Sequence, residues 1–199
     1  SLRFTNKENL ALYYASLPCL VVSLREAPSY LSSDEYEALV KRVLMRAQVA
    51  DNVRNLKVQA STKAMTASLS ARRFASLSRL SVDLTHETQM ALLVTVRRKG
   101  HLPRLQTLEL HFMTPLDLSC LAHFAGIQAL EVRTWLSRAE CHHIRGGSRW
   151  LLALRAHGLR SLEIDAMLLQ HLRAMTTTAN NNDHDPSLDA FLDRSCKVF

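Results

Sequence analysis

The strongest constraint on this chain is a recurring spacing of apolar residues. In Leu102–Leu110 they fall at Leu102, Leu105, Leu108 and Leu110, two steps of three followed by a step of two. Steps of three suit a turn arriving from a helix, whereas Leu108 and Leu110, straddling Glu109, put two aliphatic side chains on one face of a strand. The cadence recurs as Tyr14/Leu17/Leu20/Val22, Ala50/Val53/Leu56/Val58, Phe74/Leu77/Leu80/Val82, Phe124/Ile127/Leu130/Val132 and Ala156/Leu159/Leu162/Ile164. Because 47% of the residues are apolar, chance copies need counting. Requiring Leu, Ile or Val at the last three positions gives roughly 1.5 random matches; the chain holds six.

The third positions, at 20, 56, 80, 108, 130 and 162, are separated by 36, 24, 28, 22 and 32 residues. These gaps bracket the ~20–29-residue period of leucine-rich repeats. On these residues the chain resembles an irregular leucine-rich-repeat protein over about Tyr14 to Met175. It departs from that family three residues after the second strand position. There the usual Asn or Cys is replaced by Arg25, Ser61, Thr85, Met113, Trp135 and Met167, of which only Ser61 and Thr85 can cap a loop backbone even partially. The resemblance implies an α/β fold, a solenoid of about six irregular repeats with short parallel strands on the concave face and helices on the convex face. It implies a binding surface and no chemistry.

Local signals divide the chain further. Residues 1–13 read as an N-terminal cap on a unit spanning 1–175, since the first coil of a solenoid has a bare edge. Ser32-x-x-Glu35 is a capping box opening a helix whose stripe is Tyr36, Leu39, Val40, Val43, Leu44 and Ala47. The Ser/Thr/Ala-rich stretch 61–73 predicts a short, loosely packed helix. A helix from Thr85 ends in Arg97-Arg98-Lys99 before Gly100, where positive charge complements exposed carbonyls. Thr114-Pro115 reads as a cap residue with Pro at the first helical position. Ser137-x-x-Glu140 is a second capping box, its helix breaking near Gly146-Gly147 and resuming through Trp150–Ala156, and Asp165 caps a last helix. Residues 176–186, polar and low in complexity, read as a flexible linker. Residues 187–199 then form a short C-terminal helix or cap on Leu188, Phe191 and Leu192.

No residue pattern calls for catalysis. Gly146-Gly147 is followed by Ser148-Arg149, and no G-x-G-x-x-G occurs, so the common phosphate-cradling loops are missing. Cys19, Cys120, Cys141 and Cys196 form no C-x-x-C pair and read as buried free thiols. Such usage points to a reducing intracellular compartment, the mitochondrial matrix favoured over the cytosol. In Cys141-His142-His143, helical neighbours point about 100° apart and do not share one metal. His86, His101, His111, His123, His157 and His171 fall beside helix ends or on polar faces. The sequence therefore predicts no enzyme, no metal, no cofactor and no small-molecule substrate. Lacking a run of ~18 apolar residues, it predicts no membrane span.

Charge separates two faces. Residues between and just after the paired strand positions point away from the core. They make a predicted concave protein-binding face of Lys57, Asp83, Glu109, His111, Glu131, Arg133, Glu163 and Asp165, acidic in balance although the chain carries a formal charge of +7. The positive surplus falls on predicted convex helices and rims: Lys41, Arg42, Arg46, Arg72, Arg73, Arg97, Arg98, Lys99, Arg104, Arg145 and Arg149. These runs read either as solvated helix faces or as contacts to RNA phosphates or another acidic surface. Two Trp, four Tyr and six Phe leave few platforms for base stacking.

A non-catalytic scaffold fits best, an accessory structural subunit of a large assembly such as an organellar ribonucleoprotein or ribosome, touching other proteins and RNA backbone. The alternatives are a substrate-recognition adaptor of ubiquitin-ligase type, for which residues 1–13 are too short to supply an F-box, and an enzyme on another fold.

Overall fold

The computed structural model describes residues 18–23, 32–59, 68–146, 149–178, 191–193 and 196–198. Strands β1 (Cys19–Ser23), β2 (Asn55–Gln59), β3 (Arg79–Leu84), β4 (Thr107–Phe112), β5 (Ala129–Thr134), β6 (Ser161–Ile164) and β7 (Cys196–Val198) form one sheet. Every neighbour is parallel, and the strands stand in chain order. Each strand must therefore be followed by a return from the carboxyl edge of the sheet to its amino edge. Helices α1 (Ser33–Leu44) and α2 (Ala47–Asn52) lie in the return to β2, and α3 (Glu87–Arg98) in that to β4. A 3-10 helix (Leu118–Phe124) lies in the return to β5, α4 (Arg138–Cys141) and α5 (Arg149–Ala156) in that to β6, and α6 (Ala166–Thr178) follows β6.

The register explains the cadence. Leu20, Leu56, Leu80, Leu108, Leu130 and Leu162 pair across the six strands, and Val22, Val58, Val82, Leu110, Val132 and Ile164 form the next rung. Two unbroken aliphatic rows result. The earlier cadence positions Phe74, Leu77, Leu102, Leu105, Phe124, Ile127 and Leu159 are buried below them, while Ala156 is exposed. Tyr14 and Leu17 lie outside the described residues. Helices close the core with Val40, Val43 and Leu44, with Met90, Leu93 and Val96, with Trp150 and Leu154, and with Leu168 and Leu172. Each fully buried aliphatic side chain contributes roughly 1.5–3 kcal/mol.

Both capping boxes form. The Ser32 amide donates to Glu35 Oε2 (3.0 Å) and the Glu35 amide to Ser32 Oγ (3.3 Å); the Ser137 amide donates to Glu140 Oε2 (2.8 Å). Asp165 accepts from the Met167 amide (2.9 Å), and Gly100, at φ +69°, ends α3 after its basic last turn.

The sequence reading needs three corrections. The helix expected at Thr114-Pro115 begins at Leu118 and is 3-10. Residues 116–118 bond instead to Arg145, whose amide donates to Leu116 O (3.0 Å) and whose carbonyl accepts from the Leu118 amide (2.9 Å), and Asp117 caps the turn. Next, α6 runs to Thr178, into the expected linker, the rest of which lies outside the described residues. Finally, residues 191–193 are helical, but Cys196–Val198 form β7, paired to β6. Its polar partners hid it: Asp193 and Cys196 stand where the cadence wants aliphatic residues. Of the expected 61–73 helix, 68–70 are helical and 60–67 lie outside the described residues, as does the N-terminal cap.

Candidate interaction surfaces

The face of the sheet turned from the core carries the expected polar residues. Lys57, His111, Glu131, Glu163 and Asp165 are half-buried, Arg133 is exposed, and Asp83 (8%) and Glu109 (7%) are buried. The structure brings them together but does not leave them as an acidic field. Arg79 pairs with Glu109. His111 Nδ1 donates to Asp83 (3.0 Å), since a carboxylate only accepts, while its Nε2 lies 3.7 Å from Glu131, which also takes the Arg133 guanidinium. Lys197 of β7 reaches Glu163 at 3.5 Å, and Asp165 is engaged in capping α6. Arg79 and Lys197 were invisible as members of this face: one sits a step earlier on its strand, the other on an unforeseen strand.

The loop backbone after β3 is held by a buried side chain. Gln89, fully buried, accepts from the amides of Thr85 (2.7 Å) and His86 (2.9 Å). At the next two rungs the backbone takes over, with the Met113 amide donating to Leu84 O (3.1 Å) and that of Trp135 to Phe112 O (3.0 Å). Trp135, 68% exposed, thus stands beside Met113 at the carboxyl edge.

The basic residues do not share one convex face. Arg97 turns inward: it donates to Leu102 O and Ala125 O, each at 2.6 Å, tying the end of α3 to two returns, and burial pulls its pKa below the usual guanidinium value. Arg145 pairs with Glu87 (2.9 Å) and, with Arg149 at the start of α5, lies toward the carboxyl edge. Of the other expected cations, Arg72, Arg73, Arg98, Lys99 and Arg104 lie in stretches that lead into strands at the amino edge, and Lys41, Arg42 and Arg46 in the last turn of α1 and the turn after it. A backbone ladder marks the amino edge: the amides of Arg54, Arg79, Thr107, Ala129 and Ser161 donate to the carbonyls of Pro18, Arg54, Ser78, Gln106 and Gln128. The return entering β2 carries Lys41, Arg42, Arg46 and Arg54, with Asp51 the acid near its end. Arg72 and Arg73 enter β3, Arg98, Lys99 and Arg104 enter β4, His123 enters β5, and Arg155, His157 and Arg160 enter β6. Stretches 71–78, 98–106, 123–128 and 155–160 hold no carboxylate. All of these cations are exposed except the half-buried Arg46. Asp34, Glu35, Glu87, Asp117, Glu140 and Asp165 gather at helix starts, toward the opposite edge.

The remaining candidates are structural. The cysteines are free, but only Cys141 is buried and Cys19 is exposed, which corrects the expectation of four buried thiols. Burial pushes the Cys120, Cys141 and Cys196 thiols up, favouring the neutral form over the nucleophilic thiolate. His86 caps α3 by accepting from the Thr88 amide (3.2 Å), and the exposed His142 meets His171 edge-on at 5.8 Å. Among the described residues no cluster of three or more His, Cys, Asp or Glu is disposed to hold a metal ion, and no helix is long and apolar enough to cross a membrane. No protein-family model matches the sequence, and none of the curated proteins matches it.

Proposed function

We propose that this chain is a non-catalytic interaction scaffold of leucine-rich-repeat type, an accessory structural subunit of a large assembly such as an organellar ribonucleoprotein. The observation that carries the reading is the strict chain-order addition of parallel strands in one aliphatic register, with the opposite face given to polar side chains. A parallel sheet is ordinarily covered on both faces. A sheet with one face left polar and partly open offers that face to a partner.

The paired carboxylates refine what such a partner looks like. With Glu109, Glu131 and Glu163 already matched by cations, the face recognises a fixed pattern of alternating charge and not a uniformly basic segment. Trp135 supplies a protein-facing anchor of the kind that dominates interface energetics.

The test is purification of the tagged chain from its own source at low ionic strength. The scaffold reading expects it to sediment with a multi-protein particle, and Trp135→Ala to reduce the protein components recovered. A chain that migrates alone from a gentle extract overturns the reading.

A further inference from the structure

We propose that the amino edge of the sheet is a seat for the phosphodiester backbone of a double-helical nucleic acid. The inference rests on the scaffold reading and names one of its partners. In a wholly parallel sheet every return ends at the same edge, so residues far apart in sequence converge there. Arg54 and Arg160 stand on the ladder itself, and Arg73 and Arg104 lie on two of the returns between them, five and two residues before the ladder positions Ser78 and Gln106. At about 4.8 Å per strand, the edge from β2 to β6 is roughly 19 Å long, a little over half a turn of a duplex whose turn rises ~34 Å.

The bland explanation is that cations gather where helix carboxyl ends expose carbonyls. That accounts for Arg98, Lys99 and Arg155. It does not account for Arg54, Arg104 and Arg160, which lie beyond any helix end. These three have no carboxylate partner among the described residues, whereas Glu109, Glu131 and Glu163 on the open face are each paired. Uncompensated like charge along one edge is self-repulsive unless a polyanion meets it.

The chemistry of the edge selects the polyanion. In the stretches that lead directly into β2 to β6 the only Phe, Tyr or Trp residues are Phe74 and Phe124, both fully buried, so no such ring is offered there to an unstacked base. Backbone contact to a duplex fits and single-strand capture does not. An acidic protein would meet the same cations, but stable protein interfaces want apolar anchors. Among the described residues the exposed large apolar side chains are Val21, Trp135 and Val198, none of which lies on this edge.

The experiment measures binding of the full chain to a labelled mixed-sequence RNA duplex of about 20 base pairs across a salt series. Binding should fall steeply with salt. Arg104→Glu with Arg160→Glu should weaken it at least tenfold and lower the slope of log K against log salt by about two. Arg133→Glu with Arg145→Glu, the same charge change away from this edge, should leave it within about twofold, and circular dichroism checks that both doubles fold. A DNA duplex should bind within a few-fold of RNA, since backbone contact does not read the 2′-hydroxyl. The proposal is overturned by an absence of binding at low salt, by equal loss in the two doubles, by a tenfold preference for RNA over DNA, or by polyglutamate binding more tightly than the duplex. Unchanged duplex binding in the edge double, with the particle still intact, removes the edge assignment and spares the scaffold. A chain that binds duplex but migrates alone in extracts does the reverse.

Discussion

The two faces of the central strands reach similar burial by opposite means. On the core side, Leu80, Val82, Leu108, Leu110, Leu130 and Val132 exclude water by packing against helices. On the other side Ser81, Asp83 and Glu109 are nearly as inaccessible: across strands ~4.8 Å apart, the side chain of Arg79 pairs with Glu109 and that of His111 bonds to Asp83, while the Ser81 hydroxyl is buried without a hydrogen-bond partner. The core face is insensitive to which aliphatic residue stands where, provided volume is kept. The open face is sensitive to identity, because a buried donor or acceptor without its partner costs free energy.

That contrast is open to attack, beginning with the largest effect. Leu108→Ala is expected to cost about 2–5 kcal/mol through lost burial and an unfilled cavity, read from the urea midpoint; a cost below 1 kcal/mol would mean that the core side is not what holds the sheet. Asp83→Ala strips the acceptor from the buried His111 N–H and should cost about 1–3 kcal/mol, with Asp83→Asn recovering part of it. A null result would reduce the open face to decoration. Gly146→Ala tests the turn that bonds the 3-10 segment. Its φ of +110° and a Cβ colliding with the Ser119 amide nitrogen predict a loss of more than about 1 kcal/mol. Asp117→Asn should flatten the acid limb of stability at and below the ordinary carboxylate range. The Ser119 hydrogen bond holds this carboxyl below the ordinary range, so its contribution is fully present above that range and lost as pH falls below it through the depressed value. Smallest of all, Arg104→Glu should leave the urea midpoint within about 0.5 kcal/mol of the parent, which separates an exposed residue of the amino edge from the buried residues of the two faces.

Much of this architecture was readable without coordinates. The aliphatic pairs of six strands could be placed because each pair must face one way, and the period-2 pleat allows no slip. Both capping boxes and the Asp165 cap followed from short-range chemistry within four residues. The candidate site fared less evenly. Its eight open-face residues were found by strand parity, but Arg79 and Lys197, which cancel much of their charge, were not. Arg97 reads as a surface cation, because nothing in a helix-ending Arg-Arg-Lys run reveals that one guanidinium turns back to carbonyls of its own return and the next. Gln89 gives no such signal, because a Gln in the first turn of an amphipathic helix is ordinarily solvated, whereas here it is buried against the amides of Thr85 and His86.

The sequence by itself determined where six of the seven strands lie, which face of each is apolar, and that positive charge exceeds negative. These are properties of spacing and count, and a one-dimensional pattern carries them in full. Tertiary structure decided how the charges are distributed: which carboxylates find cations on the neighbouring strand, and which arginines are left in a row at one edge. Coulomb and hydrogen-bond energies depend on separations of a few ångströms between residues some thirty positions apart, and only the stacking of successive returns sets those separations.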